Sequence, residues 1–550
     1  MAWNYFVHHY SKDEARDDKY RAAEGGVLYP RAGTLGGCTA HNAMITVVPH
    51  DSDWDYIAEL TGDASWRASN MWQYFQRVER CLYRERPKAG EDNPTGHGFD
   101  GWLSTSRVDP GVAIGDMQVA ETMIRVVAQV AGRSWWHRLL RRVFRFLETG
   151  DDPNDTRNRA RAEGVTTTIP LATVSGKRNG AREFVRRVQA AYPERLTIRM
   201  NTLATRVILD ETKRAVGVEC LEGQHLYRAD PAAGAAAPQF EKREYRCSRE
   251  VILAGGAFNT PQLLMLSGIG PKEHLEDPKI GIPCLVDRPG VGSNLQDRYE
   301  VGVVSDMKRD FALLKGATFK APGDGVPPDP CFEEWLKGAG VYTSNGAMAA
   351  VIMKSDQSRP EPDLFVFALP GNFHGYYPGY SAGIEERKNA LTWAIVKAHT
   401  NNTAGTIRLK NGDPLETPDV HFHYFEEGND AKGEDLDSVV TAVRFVRSMN
   451  RRNEAVAQER IPGPAVSDDE LGKWIRDNAW GHHASCSCPM GPVGDRQAVV
   501  DSRLRVIGTK GLRIVDASVF PRIPGFFIVT PIYMVSEKAA DMIIEDAQTN

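Results

Sequence analysis

The sequence predicts an α/β fold made of two parts, one built from strand–turn–helix units and one α+β part with a large, mostly antiparallel sheet. Residues 249–270 form the pattern of a short apolar strand, a glycine turn and a helix. Residues 300–470 combine strand-like runs at 363–369 and 391–399 with a helix-like run at 438–450, without an internal repeat. A length of 550 residues allows two large folding units.

Composition excludes several classes of protein. Hydrophobic residues make up 41% of the chain and charged residues 25%, which supplies a large core and excludes disorder as the main state. The 67 Lys and Arg residues against 72 Asp and Glu residues give a net charge of -5, so we expect no nucleic-acid partner. The eight cysteines lack the spacing of zinc ligands, and no signal-peptide pattern opens the sequence. We therefore predict no metal site and a reducing, cytoplasmic location.

Two apolar runs in the first part of the chain predict helices. The run 119–130 is amphipathic, and the run 134–147 carries four arginines among aromatic and aliphatic residues. A basic amphipathic helix of this kind makes peripheral contact with a membrane surface or packs on its own domain. Both interpretations remain open at the level of the sequence.

The middle of the chain predicts short strands followed by a turn. Strand-like runs occupy residues 196–200, 205–210 and 215–220 before the glycine turn at 255–256. Thr260 and Pro261 are a suitable N-cap and first-turn pair for the next helix.

Five segments, in order, carry a family resemblance. They are RAGTLGGCTAHN (31–42), GGAFNTPQLLMLSGIGP (255–271), PGVGSNLQDR (289–298), HHASCSCPMGP (482–492) and VVDSRLRVIGTKGLRIVDASVFPRIP (499–524). Together they resemble the glucose-methanol-choline (GMC) family of flavin oxidoreductases, in particular its choline-dehydrogenase-like and choline-oxidase-like members, across essentially the whole chain. Arg298 stands where the family usually has His.

The resemblance implies one FAD cofactor and two domains. A discontinuous, Rossmann-like FAD-binding domain would comprise residues 1–100, 166–300 and 473–550, and a substrate-binding domain residues 101–165 and 301–472. The family begins with a G-x-G-x-x-G turn that holds the ADP pyrophosphate at a helix N-terminus, and this sequence has no match to it. We therefore expect an incomplete FAD-binding unit, arising from a fragment, a misplaced start or one half of a split enzyme.

His483 is the predicted base. The family's catalytic His lies seven positions before the Met of its C-terminal motif, here Met490, and imidazole suits removal of a hydroxyl proton at neutral pH. His482 is the alternative. Because neighbours in extended backbone point to opposite sides, we expect one imidazole to face the flavin and the other to pack or meet solvent. The family's second catalytic Asn or His corresponds to Val529, which cannot exchange a proton.

The resemblance also implies contacts to the flavin. His41 corresponds to the His that is bonded covalently to the flavin in choline-oxidase-like members, and the alternative is a His that fills the loop and hydrogen-bonds backbone. The remaining contacts are Leu35, Gly36, Gly37, Asn42, Ala43 and Met44 near the ring and ribityl chain, Val207 near adenine, and Ala254, Gly255, Asp516 and Ala517. Cys486 and Cys488 are expected to be inert, as buried thiols usually are.

The implied activity is FAD-dependent oxidation of the CH–OH group of a small-molecule alcohol, with hydride transfer to flavin N5 and oxygen or a quinone-like compound as electron acceptor. The aromatic segment 367–380 and Trp393 suggest an apolar substrate pocket. Two alternatives stay open. One is a redox-neutral, FAD-containing lyase of the same family, and the other is a truncated, inactive chain that needs a partner.

Overall fold

The structure is a computed structural model that describes residues 1–109, 111–112, 115–131, 152–159, 163–166, 168–234, 238–323 and 325–549. The predicted basic helix at 134–147 lies outside these residues, so neither interpretation of it is tested. Within the described residues, no helix combines the length and apolarity needed to cross a bilayer.

The described chain alternates short strands with helices. The helices are α1 (Asp51–Thr61), α2 (Ala68–Val78), α3 (Met117–Ala131), α4 (Thr156–Arg159), α5 (Ala181–Ala191), α6 (Gly256–Leu266), α7 (Lys272–Leu275), α8 (Pro330–Leu336), α9 (Tyr380–Glu386), α10 (Glu434–Asn450), α11 (Leu471–Asn478) and α12 (Val529–Thr549). The strands are β1 (Ala2–Val7), β2 (Tyr20–Arg21), β3 (Gly26–Ala32), β4 (Glu79–Cys81), β5 (Leu103–Thr105), β6 (Gly164–Thr166), β7 (Thr173–Val174), β8 (Lys177–Arg178), β9 (Thr202–Leu209), β10 (Ala215–Glu222), β11 (Glu241–Arg246), β12 (Val251–Leu253), β13 (Ile269–Gly270), β14 (Val286–Asp287), β15 (Glu300–Met307), β16 (Ala349–Met353), β17 (Leu364–Pro370), β18 (Ala390–Lys397), β19 (Thr406–Arg408), β20 (Asp419–His421), β21 (Val456–Ile461) and β22 (Leu512–Ile514).

The largest sheet has six strands in the order β21-β15-β18-β17-β16-β6, and all its pairs are antiparallel. Every residue of β15 and β18 is buried; β18 is a nearly continuous apolar run, whereas β15 also contains the buried polar residues Glu300, Ser305 and Asp306. Helix α10 covers the sheet through a buried stripe that includes Val439, Val443 and Val446. This sheet and helix confirm the predicted α+β part.

The strand–turn–helix unit is present as a parallel pair, β12 with β22, followed by α6. The expected cap is wrong, because α6 begins at Gly256 and Thr260 and Pro261 lie inside it. Proline has no N–H to donate to the carbonyl four residues earlier, that of Ala257. The Ser487 hydroxyl donates to that carbonyl over 2.6 Å instead, so the break is compensated from the C-terminal motif.

The strand predictions succeed where a partner strand exists. The runs 205–210 and 215–220 fall in β9 and β10, which pair antiparallel, and β11 adds a third strand to the sheet. The run 196–200 is not a strand, because it follows α5 along the surface, mostly exposed and without a pairing partner.

Candidate active site

One cavity of about 640 Å³ lies between the two parts of the fold. The loop 41–44, the His482–His483 segment, the first residue of α12 and the strand β17 all contribute to its lining. Its volume falls within the range typical of small-molecule sites, and apolar side chains surround a few polar ones. The apolar side chains include Phe367, Leu369, Phe373, Tyr376, Tyr380 and Phe527.

The predicted base lies in this cavity together with its neighbour. The rings of His482 and His483 have centroids 4.1 Å apart, and both line the cavity. The expectation that the two would point to opposite sides is therefore wrong. Side chains alternate between two faces in a β-strand whose backbone pairs with a neighbouring strand. The backbone of this segment instead bonds to side chains: Arg31 donates to the His482 carbonyl over 3.0 Å, and the Tyr29 hydroxyl accepts from the Ala484 amide over 2.8 Å.

Glu300, the first residue of β15, is a cavity residue that sequence reasoning missed. Its Oε1 lies 3.3 Å from Nδ1 of His482 and 3.3 Å from Nδ1 of His483. Desolvation by burial, and then the nearby Asp297, raise the pKa of Glu300 well above its usual range. Since no motif marks this glutamate, only its position directly after the segment 289–298 could have drawn attention to it.

Both imidazoles are held neutral. Burial, then the charges of Arg31 and Arg298, lower the pKa of His482 to about 3. Burial, then His482 and the same two arginines, lower the pKa of His483 well below its usual value. A neutral imidazole has a free nitrogen lone pair, so His483 is in the form that can accept a proton.

The loop 41–44 forms another wall of the cavity, to which His41, Asn42, Ala43 and Met44 all contribute. Arg178 donates to Oδ1 of Asn42 over 2.8 Å and to its carbonyl over 2.7 Å, while Asn345 donates to the carbonyl of Ala43 over 2.7 Å. The loop is therefore held from two sides.

Leu35, Gly36 and Gly37 lead into this loop but do not line the cavity. Gly36 has a φ of +89°, and a Cβ there would lie 2.9 Å from Cβ of Arg182, so only glycine fits this turn.

A thiol that sequence reasoning did not single out accompanies this loop. Cys38 lines the cavity, and Arg31 approaches its Sγ to 3.8 Å. Burial raises the pKa of this thiol, but the charge of Arg31 and the hydrogen bond with His41 outweigh it and lower the pKa to about 6. In contrast, burial raises the pKa of Cys486 to about 12, and it raises that of Cys488 well above its usual value.

Four further predicted contacts form a second group outside the cavity. Ala254 and Gly255 are exposed at the turn after β12, next to Asp516 and Ala517. The Asp516 carboxylate accepts from the Gly256 amide over 2.9 Å and from the Thr260 hydroxyl over 2.6 Å. The Cys486 amide donates to the Ala517 carbonyl over 3.1 Å, which joins this group to the histidine segment.

Three further positions that the sequence analysis singled out are Val207, Val529 and Trp393. Val207 is buried in β9, where its amide donates to the Ser267 hydroxyl over 2.8 Å, and it does not line the cavity. Val529 lines the cavity as the first residue of α12, and its isopropyl group offers no hydrogen bond. Trp393 is buried in β18 and does not line the cavity, whereas the segment 367–380 contributes several of its lining side chains.

The lining suits a planar aromatic ring system such as a flavin. The predicted ring contacts at 41–44 and the predicted base at 483 border the same space, which is large and mostly apolar. Buried polar atoms without a hydrogen-bond partner, among them Nδ1 of both histidines, remain available in this wall. We conclude that the residues present fit the ring portion of the cofactor.

Solved structures with the same fold are known. A formate oxidase from Aspergillus oryzae matches with a TM-score of 0.74 at 21% identity, covering 100% of this chain and 89% of that one. A pyridoxine 4-oxidase from Mesorbium loti matches with a TM-score of 0.72 at 21% identity, covering 99% and 88%. This chain therefore shares its fold with these two oxidases.

The family follows from the sequence comparisons. The models of the GMC oxidoreductase N-terminal and C-terminal regions match residues 22–300 and 401–536. An oxygen-dependent choline dehydrogenase of Brucella anthropi is 29% identical over 537 residues, covering 94% of this chain and 82% of the relative. One of Yersinia pestis bv. Antiqua is 30% identical over 520 residues, covering 92% and 79%. The chain belongs to the GMC oxidoreductase family.

Proposed function

We propose that this chain oxidises the CH–OH group of a small alcohol, with FAD as its cofactor and His483 as the base. The observation that carries the proposal is the position of the His483 imidazole, whose pKa is lowered by burial, in the same cavity as the loop 41–44. The flavin, when bound, supplies the hydride acceptor. The GMC family membership and the choline dehydrogenase relatives support the reaction class.

In this proposal each group of residues has one task. His483 accepts the hydroxyl proton of the alcohol. The loop 41–44 contacts the ring of the cofactor, and the group around Asp516 contacts its ribityl and pyrophosphate portion. The aromatic side chains of 367–380 receive the apolar part of the alcohol and exclude water. We also propose that residues 1–100, 166–300 and 473–550 form the FAD-binding domain and that residues 101–165 and 301–472 form the substrate-binding domain.

The test is anaerobic mixing of the flavin-loaded protein with a panel of alcohols, including choline, benzyl alcohol and pyridoxine. Loss of the visible flavin absorbance with at least one of them is expected. His483→Ala should slow this reduction by about 10²–10⁴-fold, the usual contribution of a general base. His225→Ala, which changes a half-exposed surface histidine, is the matched control and should reduce at the wild-type rate.

Absence of reduction with every alcohol would contradict the proposal and favour a redox-neutral reaction. Reoxidation of the reduced protein by dissolved oxygen, compared with reoxidation by a soluble quinone, identifies the electron acceptor.

A further inference from the structure

Three buried polar atoms face one another in the cavity wall. Oε1 of Glu300 and Nδ1 of His482 and His483 have no hydrogen-bond partner among the described residues, although each nitrogen is 3.3 Å from the oxygen. A buried polar atom left unpaired costs about 1–3 kcal/mol. Three lone pairs turned toward each other would repel, so protons must lie between them.

The chemistry of imidazole limits where these protons lie. A neutral imidazole carries one N–H and one lone pair. Because burial raises the pKa of Glu300, its carboxyl keeps a proton, so Oε1–H can donate to Nδ1 of His482 while the same oxygen accepts from Nδ1–H of His483. Nε2 of His482 then carries the ring proton and Nε2 of His483 keeps its lone pair, so the pair offers one donor and one acceptor to a ligand in the cavity. A carboxyl group that orients an imidazole in this way is a recurring arrangement in catalytic and metal sites.

The charged and titratable neighbours come from several elements. Arg31 of β3 donates to the His482 carbonyl, and Arg298, which precedes β15, is fully buried beside Glu300. Asp297 accepts the His483 amide over 2.8 Å, and the ring of Tyr376 packs edge-on against His482 at 5.3 Å. The two guanidinium groups disfavour a third positive charge, so the resting imidazoles are uncharged.

The cavity lacks a polar group at the position where the resemblance implies a second catalytic side chain. Val529 borders the cavity but can neither donate nor accept. His482 borders the same cavity, and its ring lies 4.1 Å from that of His483. The imidazole of His482 therefore supplies the hydrogen-bonding group in the cavity that the side chain of Val529 does not.

We propose that His482 is a second catalytic residue, which donates from Nε2–H to the alcohol oxygen, and that Glu300 is a positioning residue, which holds both imidazoles with Nε2 toward the substrate. This inference rests on the proposed function. The reaction would balance as follows: the O–H proton would move to Nε2 of His483 and the C–O bond would become a carbonyl, while the flavin, when bound, would accept the hydride that the carbon loses. His482 keeps its protonation state throughout.

Two pairs of variants test the proposal. His482→Ala should slow flavin reduction by about 10²-fold, as removal of one oxygen-directed hydrogen bond does, and Val529→Asn in that background should restore part of the rate. Glu300→Gln retains one N–H donor and one acceptor oxygen and should keep the neutral-pH rate within about threefold, whereas Glu300→Leu has neither and should fall about 10²-fold. Rates are measured across pH and are divided by the amount of bound flavin, so that a variant that binds less flavin is not mistaken for a slower one.

A readout independent of turnover is the tautomer of the two histidines, observed by NMR in protein labelled with nitrogen-15 at histidine. One histidine in the Nδ1–H form and one in the Nε2–H form should be present in wild type and in Glu300→Gln, and the Nδ1–H form should be lost in Glu300→Leu. Equal reduction rates for wild type and His482→Ala, or the same tautomers in both Glu300 variants, would overturn the inference. If wild type itself is reduced by no alcohol, the proposed function fails, and the tautomer result still decides the role of Glu300.

Discussion

The backbone amide of His483 donates to Oδ1 of Asp297 over 2.8 Å, a contact between two segments far apart in the chain. The other carboxylate oxygen of Asp297 accepts from the Tyr29 hydroxyl over 2.5 Å, and that hydroxyl accepts the Ala484 amide. Asp297 is buried, so its hydrogen bonds are not replaced by water when it is removed. The imidazole at 483 is therefore held through its backbone.

Replacement of Asp297 should separate stability from positioning. Asp297→Ala leaves the amide of His483 unpaired and should lower the free energy of unfolding by about 1–3 kcal/mol, together with the rate of flavin reduction. Asp297→Asn keeps an acceptor oxygen and should lose less of both. Urea unfolding and anaerobic reduction measure the two effects, and equal behaviour of the two variants would show that the hydrogen bond to His483 is unimportant.

His483 could be singled out from the sequence because its motif is local and places the histidine seven residues before Met490. Glu300 could not, since its contact depends on pairing between segments. Its amide donates to the Trp480 carbonyl over 2.9 Å and the Trp480 amide donates back over 3.0 Å, which places β15 beside the histidines. The same cause explains the error at 196–200: strand propensity is local, whereas a strand requires a partner.

The shared orientation of the histidine pair was unpredictable for a related reason. The alternation of side chains between two faces applies to a segment that pairs with another strand through its backbone. Here the carbonyl at 482 and the amides at 483 and 484 bond instead to the side chains of Arg31, Asp297 and Tyr29. Two strands of the large sheet, in contrast, could be predicted from their apolar runs, because the runs 363–369 and 391–399 correspond to β17 and β18.

Covalent attachment of flavin through His41 is a prediction that the visible absorbance of acid-precipitated protein tests. His41 ends the short 3-10 helix Gly37–Ala40 and lines the cavity. Acid precipitation should leave the flavin with wild-type protein, and a flavin-bearing peptide should contain residue 41. His41→Ala should release all flavin to the supernatant. Release from wild type as well would establish His41 as a loop residue without this bond.

The thiol of Cys38 should react at a lower pH than an ordinary cysteine. Burial opposes ionisation, but Arg31 and His41 outweigh it and bring the pKa to about 6. The rate of alkylation by iodoacetamide, followed by mass spectrometry of this peptide, should rise through a midpoint near that pH. His41→Ala removes one stabilising hydrogen bond and should move the midpoint upward. Cys38→Ser is the control, and a midpoint near 9 in wild type would contradict the prediction.

A buried triad near the start of the chain should contribute strongly to stability. His97 lies between Glu79, 2.8 Å from Nδ1, and Asp152, 3.1 Å from Nε2, and all three side chains are inaccessible to solvent. Burial lowers the pKa of His97, but its hydrogen bonds to Asp152, Cys81 and Glu79 outweigh this effect and raise the pKa to about 12. The imidazole is thus charged at neutral pH, and removing it leaves two buried carboxylates without their shared partner.

His97→Ala should therefore lower the free energy of unfolding by about 3–5 kcal/mol, as loss of one member of a buried ion cluster does. Because the pKa of the folded state lies above the unfolded value near 6.5, the contribution is complete below about pH 6.5 and declines as pH rises toward about 12. Urea unfolding of wild type and variant across pH measures the difference, with His225→Ala as the exposed-histidine control. A difference that grew with rising pH would show that His97 is neutral, because a charged imidazole stabilises the folded chain only while it retains its proton.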